Sequence, residues 1–278
     1  RHTRYWRDWS SDVCSSDLKN ITADMEKALQ DFNPESFYQI GGALTGALNA
    51  NTTSNASFNV EMRETILYGL GNASNLQEAS KTDIYMQASM IASVSNTFSE
   101  LSEAAVDQSV SLLESMSEGA VSVGSDSSTQ AAIGSTISTM ITGNVTYGSE
   151  AATQSISSSI SFLGFSMTTE SIEGEDAVEL STGAMNITSV VQSPESTKGA
   201  SMTAKGTNSS VTLPSAGLGA MYDTDGVESI SLLSASMANI YDGNMNGSTS
   251  TTPSTFRLSF VATEASTGRR RKLYPREN

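Results

Sequence analysis

Cysteine, histidine and tryptophan are nearly missing from this 278-residue chain, which holds one, one and two of them. Charge is sparse as well: charged residues make up 16%, and 15 Lys+Arg face 30 Asp+Glu, a formal net charge of −15. Each shortage excludes something. A nucleic-acid binder needs a basic face to displace counterions from phosphate, and this acidic chain offers none. A membrane-spanning helix needs roughly 18 or more consecutive apolar residues, and no such run is present. No basic start followed by an apolar centre marks a secretory signal.

The rare residues are not scattered. His2, Trp6, Trp9 and Cys14 all fall within Arg1–Leu18. That segment resembles a translated sequencing-adapter read-through, with Asp12-Val-Cys-Ser-Ser-Asp-Leu18 carrying the likeness, and residues 1–18 are therefore set aside from the fold. The competing reading is a genuine aromatic tail. If the segment is foreign, the chain proper begins in mid-frame, and a signal peptide upstream is compatible with it. Residues 19–268 then hold seven basic and 26 acidic residues, net −19, with no cysteine and no histidine. A disulfide framework, a thiolate metal site, a cysteine nucleophile and Ser-His-Asp chemistry are all excluded there. No catalytic residue, cofactor or metal ligand is expected, and the chain does not read as an enzyme.

What is abundant is hydroxyl: 49 Ser and 29 Thr, well above ordinary usage. Between them runs a helical pattern. Thr22 is read as the cap of a short helix ending at Phe32. Asn33-Pro34-Glu35 is a strong start, combining a cap, a proline whose missing N–H costs nothing at the first position, and a carboxylate at the positive end. Phe37, Ile40, Leu44 and Leu48 follow at helical spacing, and the polar stretch 49–57 reads as a loop. Phe58, Met62, Ile66 and Leu70 form the next stripe, and Ile84, Ala88, Ile91 and Val94 another. Val106, Val110, Leu113 and Met116 continue, and Asp126 caps a helix bearing Ile133, Ile137 and Met140. Each stripe is one face wide, so these helices must bury it on one another. Met62, Met86, Met90, Met116 and Met140 read as core filling. Glu100, Glu103, Asp107, Glu114 and Glu118 read as a solvated face.

After Gly143 the period shortens. One more helix is expected over 149–162, with Ile156, Ile160 and Leu163 on its face. Val178–Leu180, Met185–Val191, 200–204, Val211–Leu213, Val227–Met237 and Thr255–Thr263 then alternate or carry β-branched residues. Turn signals separate them, including the acidic cluster Glu173, Glu175, Asp176 and Glu179, which without a basic or histidine partner reads as a solvated turn. The expected fold class is α+β: an N-terminal antiparallel helical bundle over residues 19–143, a β-sandwich-like part over 144–268, and a basic tail over 269–278. A disordered, mucin-like chain is the competing view.

Asn-X-Ser/Thr triplets occur at Asn20, Asn51, Asn55, Asn72, Asn144, Asn186, Asn208 and Asn246. Chance supplies some of them in so Ser/Thr-rich a chain, but most fall in or beside expected loops, where a glycan is tolerated.

Amphipathic helices followed by short strands with sequons resemble the extracellular stalk of polycystin-like proteins, which joins a receptor-for-egg-jelly module to an autoproteolysis-inducing domain. Ser99-Glu-Leu-Ser with Val110-Ser-Leu-Leu113-Glu-Ser-Met116 is similar to the module's repeated helical motif. Val211-Thr-Leu-Pro214, Leu218 and Ser229–Met237 are similar to its first strand pair. The likeness spans about residues 24–265 and rests mostly on apolar pattern. The family's cleavage motif, with its paired Cys, Trp and His-Leu/Ser or Thr site, has no counterpart here. The resemblance therefore implies a stalk or adhesion role on the extracellular side of a membrane, with no catalytic residue. It implies as partners the membrane-spanning part of the same protein and extracellular protein or carbohydrate ligands. The alternative is a secreted or cell-wall Ser/Thr-rich glycoprotein with no membrane segment.

The tail adds one further candidate. Arg269, Arg270, Arg271 and Lys272 stand out against the acidic segment before them. They read either as a solvated basic end or truncation, or as a processing site for a secretory-pathway protease with an acidic pocket.

Overall fold

The computed structural model of the chain describes residues 15–50, 56–76, 79–143, 150–203, 210–216, 227–237, 255–264 and 270–272. Within them the fold is α+β, with seven α-helices preceding seven strands. The helices are α1 (Ser15–Gln30), α2 (Pro34–Ala50), α3 (Ala56–Ser74), α4 (Lys81–Val94), α5 (Glu103–Val123), α6 (Ser127–Thr142) and α7 (Glu150–Met167). A single 3₁₀ turn, Phe98–Glu100, joins α4 to α5.

Of the caps expected from the sequence, Asn33 and Asp126 are present and Thr22 lies inside a helix, while Ser80 and Ser102 are caps the sequence reading did not name. Asn33 Oδ1 accepts the Ser36 N–H at 3.1 Å, and Pro34 opens α2. Ser80 caps α4 by accepting the Asp83 N–H at 3.2 Å, and Ser102 caps α5 by accepting from Ala105 at 3.1 Å. Asp126 accepts the Thr129 N–H at 2.8 Å and the Ser128 hydroxyl at 2.8 Å. Those hydrogen bonds favour the ionised carboxylate and hold its pKa down at about 2, the Thr129 N–H being the largest cause.

Four boundaries differ from the sequence reading. Helix α1 starts at Ser15 and not at a Thr22 cap, so it runs back into the adapter-like segment. It ends at Gln30, two residues short of Phe32, whose φ of 53° turns the chain into α2. Helix α2 extends through Asn49 and Ala50, and α7 continues five residues past Phe162, through Gly164, to Met167.

The strands are β1 (Val178–Ser181), β2 (Met185–Gln192), β3 (Ser201–Thr203), β4 (Ser210–Thr212), β5 (Val227–Met237), β6 (Thr255–Glu264) and β7 (Arg270–Lys272). The main sheet is antiparallel throughout, in the order β1-β2-β5-β6-β7, with a register shift between Val227 and Ser229. β3 and β4 form a separate two-stranded ribbon. The period of two is visible along β2, where Met185, Ile187, Ser189 and Val191 are buried and the residues between them are half-buried. The central strand β5 is buried on both sides. Leu233 and Ala235 join the helical core, while Ile230 and Leu232 pack with Met202 and Leu213 of the ribbon region. Among the described residues, helices cover one face of the main sheet, and the β3–β4 ribbon is the counterpart of the second layer a sandwich would have.

One core therefore runs through helices and sheet, from Phe37, Leu67 and Ile91 through Leu113, Ile137 and Ile160 to Ile187 and Leu233, each fully buried. Met62, Met90, Met116 and Met140 are buried in it as the sequence implied, Met86 packs on it half-buried, and Met25 joins them. Helix α7 makes the joint: it packs on α5 and α6 and also on β2 and β5. The joint depends on Gly164, because a Cβ there would stand 2.3 Å from Leu233 Cδ1. This close approach is why a glycine sits inside a helix that the sequence pattern ends early.

Two glycines should respond with opposite signs. Gly164→Ala gains helix propensity of up to about 1 kcal/mol but overpacks the core at roughly 1–3 kcal/mol, so it should lower the melting temperature. Gly42→Ala, exposed on α2 with nothing within 4 Å of the new Cβ, should raise stability by about 1 kcal/mol. Thermal unfolding of both variants checks the pair.

Asp126 predicts a pH signature. Its folded pKa lies below the unfolded value, so its stabilisation is complete above pH 3.8 and is lost as pH falls toward 2. Asp126→Asn, which cannot titrate, should lose less melting temperature than the parent between pH 4.5 and pH 2. Equal losses in the two proteins would contradict this.

Candidate functional site

Helix α3 carries the two most specific features of the helical half, one toward each end. Toward its start lies the only charged side chain among the described residues that is wholly buried. Arg63 is 0% exposed, and each of its three guanidinium nitrogens is engaged. Nε donates to Glu100 Oε2 at 2.9 Å, Nη1 to the Val94 carbonyl at 2.7 Å, and Nη2 to Asn49 Oδ1 at 2.9 Å. Asn59 Nδ2 donates to the other Glu100 oxygen at 2.8 Å, and Asn49 Nδ2 to the Ser93 carbonyl at 2.9 Å. The planar fork thus ties the end of α2, the first half of α3, the last turn of α4 and the 3₁₀ turn together. Val94 lies in the last turn of α4, where carbonyls lack a partner of their own, so the arginine also caps that helix.

The sequence reading assigned Glu100 to a solvated face. The structure corrects this: Glu100 is 22% exposed and holds Arg63. Glu103, Asp107 and Glu118 are exposed and Glu114 is half-buried. Arg63 itself was overlooked, although Asn59, Arg63, Ile66 and Leu70 share the helical spacing of the apolar stripe. A cation in register with a buried stripe was the available signal.

Toward the other end of α3, a groove of about 450 Å³ opens between α3, α4 and α5. Ile84, Leu112 and Met116 form its apolar part, and the missing side chain of Gly71 lets the Gln108 amide come close, since a Cβ there would stand 2.7 Å from Gln108 Nε2. Around them stand amides and hydroxyls, and Tyr68 projects at the rim, 68% exposed. Among the described residues no cation lines the groove, and Asp83 is the single charged group that does. Such a site suits a neutral, hydroxyl-rich or amide-bearing group and offers nothing to hold an anion.

The sequons fall in different environments. Asn20 is exposed on α1, and Asn72 is exposed in the last turn of α3, where it lines the groove. Asn186 is half-buried in β2, paired with Ser181 on one side and Ser236 on the other. Asn51, Asn55, Asn144, Asn208 and Asn246 lie outside the described residues. Of the basic run, Arg270, Arg271 and Lys272 form edge strand β7, opposite Thr263, Ala262 and Val261 of β6, and Arg269 lies outside the described residues. These three residues are thus held in a ladder where the sequence reading placed a free tail; a basic edge strand is one device by which sheets discourage further pairing.

The acidic cluster is a turn. Glu173, Glu175, Asp176 and Glu179 are exposed, Gly174 has φ 88°, and Glu175 Oε2 accepts the Ile172 N–H at 3.0 Å. Among the described residues no group of three or more His, Cys, Asp or Glu side chains is arranged to hold a metal, and no helix is long and apolar enough to cross a membrane.

The Arg63 network makes a quantitative prediction. Glu100→Ala leaves a buried guanidinium uncompensated and should destabilise the fold by about 3 kcal/mol, while Glu118→Ala, an exposed carboxylate on α5, should stay within about 0.5 kcal/mol. Arg63→Lys should also be strongly destabilising, because one ammonium cannot serve acceptors on α2, α4 and the 3₁₀ turn together. Denaturant midpoints at unchanged slope measure all three.

No protein-family description matches the chain, and no curated protein is significantly similar to it.

Proposed function

We propose that this chain is a non-catalytic stalk or adhesion segment from the extracellular side of a larger membrane protein, similar to the egg-jelly-receptor region of polycystin-like channels. Its partners are the membrane-spanning part of the same protein and extracellular protein or carbohydrate ligands. The observation that carries this reading is the placement of the Asn20 and Asn72 sequons, both exposed on helix surfaces and so open to a glycan. Two features support it. Helices and sheet share one core, so the segment resists tension as a single body. The residues after the adapter-like segment contain neither histidine nor cysteine, which removes most nucleophile and metal chemistry.

Expression behind a signal peptide in a secretory host, followed by an N-glycosidase, tests it. The expected result is a loss of mass on digestion, with peptide mapping showing Asn72 occupied. Asn186, half-buried inside a three-strand ladder, should be bare in the folded product. A secreted chain with no glycan at any sequon would remove the main support for an extracellular role.

A further inference from the structure

The groove beside α3 has an occupant already attached to its wall. We propose that the groove between α3, α4 and α5 is the seat of the chain's own Asn72 glycan, whose first sugars stack on Tyr68 and hydrogen-bond to α5. The proposal rests on the extracellular reading for the glycan's origin, and on local geometry for its seat.

Tyr68 and Asn72 are one helical turn apart, at positions i and i+4, so their side chains lie on one face of α3. Helical side chains lean toward the N-terminus, which directs a sugar on Asn72 back over the Tyr68 ring. Both residues line the groove, and both are exposed. An exposed aromatic platform beside a hydroxyl- and amide-lined recess suits a pyranose, which is apolar on its ring face and polar at its rim.

The opposite wall supplies the polar partners. Hydroxyls in this protein's helices are mostly turned back on their own backbone: in α5, Ser109 donates to the Ala105 carbonyl and Ser117 to the Leu113 carbonyl, each at 2.7 Å. Ser111 and Ser115, on the same helix and facing the groove, make no such bond among the described residues, and neither does the Gln108 amide. Two hydroxyls and an amide are thus left to water along the wall facing Asn72. They match the hydroxyls and the acetamido group of an N-linked N-acetylglucosamine, which both donate and accept. Among the described residues no cation lines the groove, which fits an uncharged ligand.

The test uses two sources of the sugar. In the first, the chain made in a secretory host is compared with its Asn72→Gln variant. The seated glycan should raise the melting temperature by about 2–4 °C and slow amide exchange at Gln108–Ser115. Trimming to the single asparagine-linked sugar should keep the effect, and Tyr68→Ala should abolish it without changing occupancy. In the second, bacterially made Cys14→Ser/Asn72→Cys protein is coupled through sulfur to N-acetylglucosamine, which needs no secretory pathway. The same exchange protection at Gln108–Ser115, lost with Tyr68→Ala, is expected.

An occupied Asn72 that changes neither melting nor α5 exchange overturns the proposal. So does a coupled sugar that leaves α5 exchange unaltered while uncoupled protein folds normally. If the secretory host leaves every sequon bare, the extracellular reading fails, and the coupled protein alone then decides whether the seat exists.

Discussion

The helical half is organised around a cation that must not lose its partners. Burying a guanidinium is tolerable only when its nitrogens are hydrogen-bonded and its charge is opposed, and Arg63 meets both conditions through Glu100, Asn49 and the Val94 carbonyl. Each partner comes from a different element, so the requirement fixes where α2 ends, how α4 stops and where the 3₁₀ turn sits. A shift of α4 along α3 would break a bond that a hydrophobic contact would merely slide past. This is a specificity device: apolar stripes such as Ile84, Ala88 and Ile91 allow several registers, and the arginine selects one.

A second constraint comes from composition. With 49 serines and 29 threonines, many hydroxyls must enter the interior. The helices absorb them by internal bonding, as Thr45 to the Gly41 carbonyl at 2.7 Å and Ser159 to the Ser155 carbonyl at 2.8 Å. At the joint between layers, Thr168 donates to Ser231 at 3.3 Å, so even the helix–sheet contact includes a hydroxyl pair. Some buried oxygens have no partner among the described residues: Ser95 and Thr129 in the helical half, and Thr188, Gln192 and Ser234 in the sheet. Small side chains also let layers approach closely, which is how Gly164 and Leu233 come together. The chain thus builds a continuous core from a poorly apolar sequence.

The parts of this fold that rest on local rules were legible in the sequence. Asn33-Pro34 and Asp126 cap helices where their chemistry says they should, and Met185–Val191 alternates as a half-buried strand must. What escaped depends on partners distant in sequence. Glu100 looks like any exposed carboxylate until Arg63, 37 residues earlier, is placed beside it. Gly164 reads as a helix breaker unless Leu233 is known to press on it. Asn49 sits in a polar run that resembles a loop, yet its amide is needed inside to meet Arg63 and Ser93. Arg270–Lys272 has no strand-like pattern of its own and becomes a strand only by pairing with β6. The groove was invisible because it is made by what three helices leave unfilled, although Tyr68 and Asn72 were present at helical spacing.

The central claim is that helices and sheet form one mechanical body, as a stalk requires. Pulling a single molecule from handles at Ser15 and Lys272 tests it most directly. A core that runs from Phe37 through α7 to Leu233 predicts one cooperative rupture that releases helices and strands together. Two well-separated ruptures, with the sheet extending while α1–α6 stay folded, would contradict it.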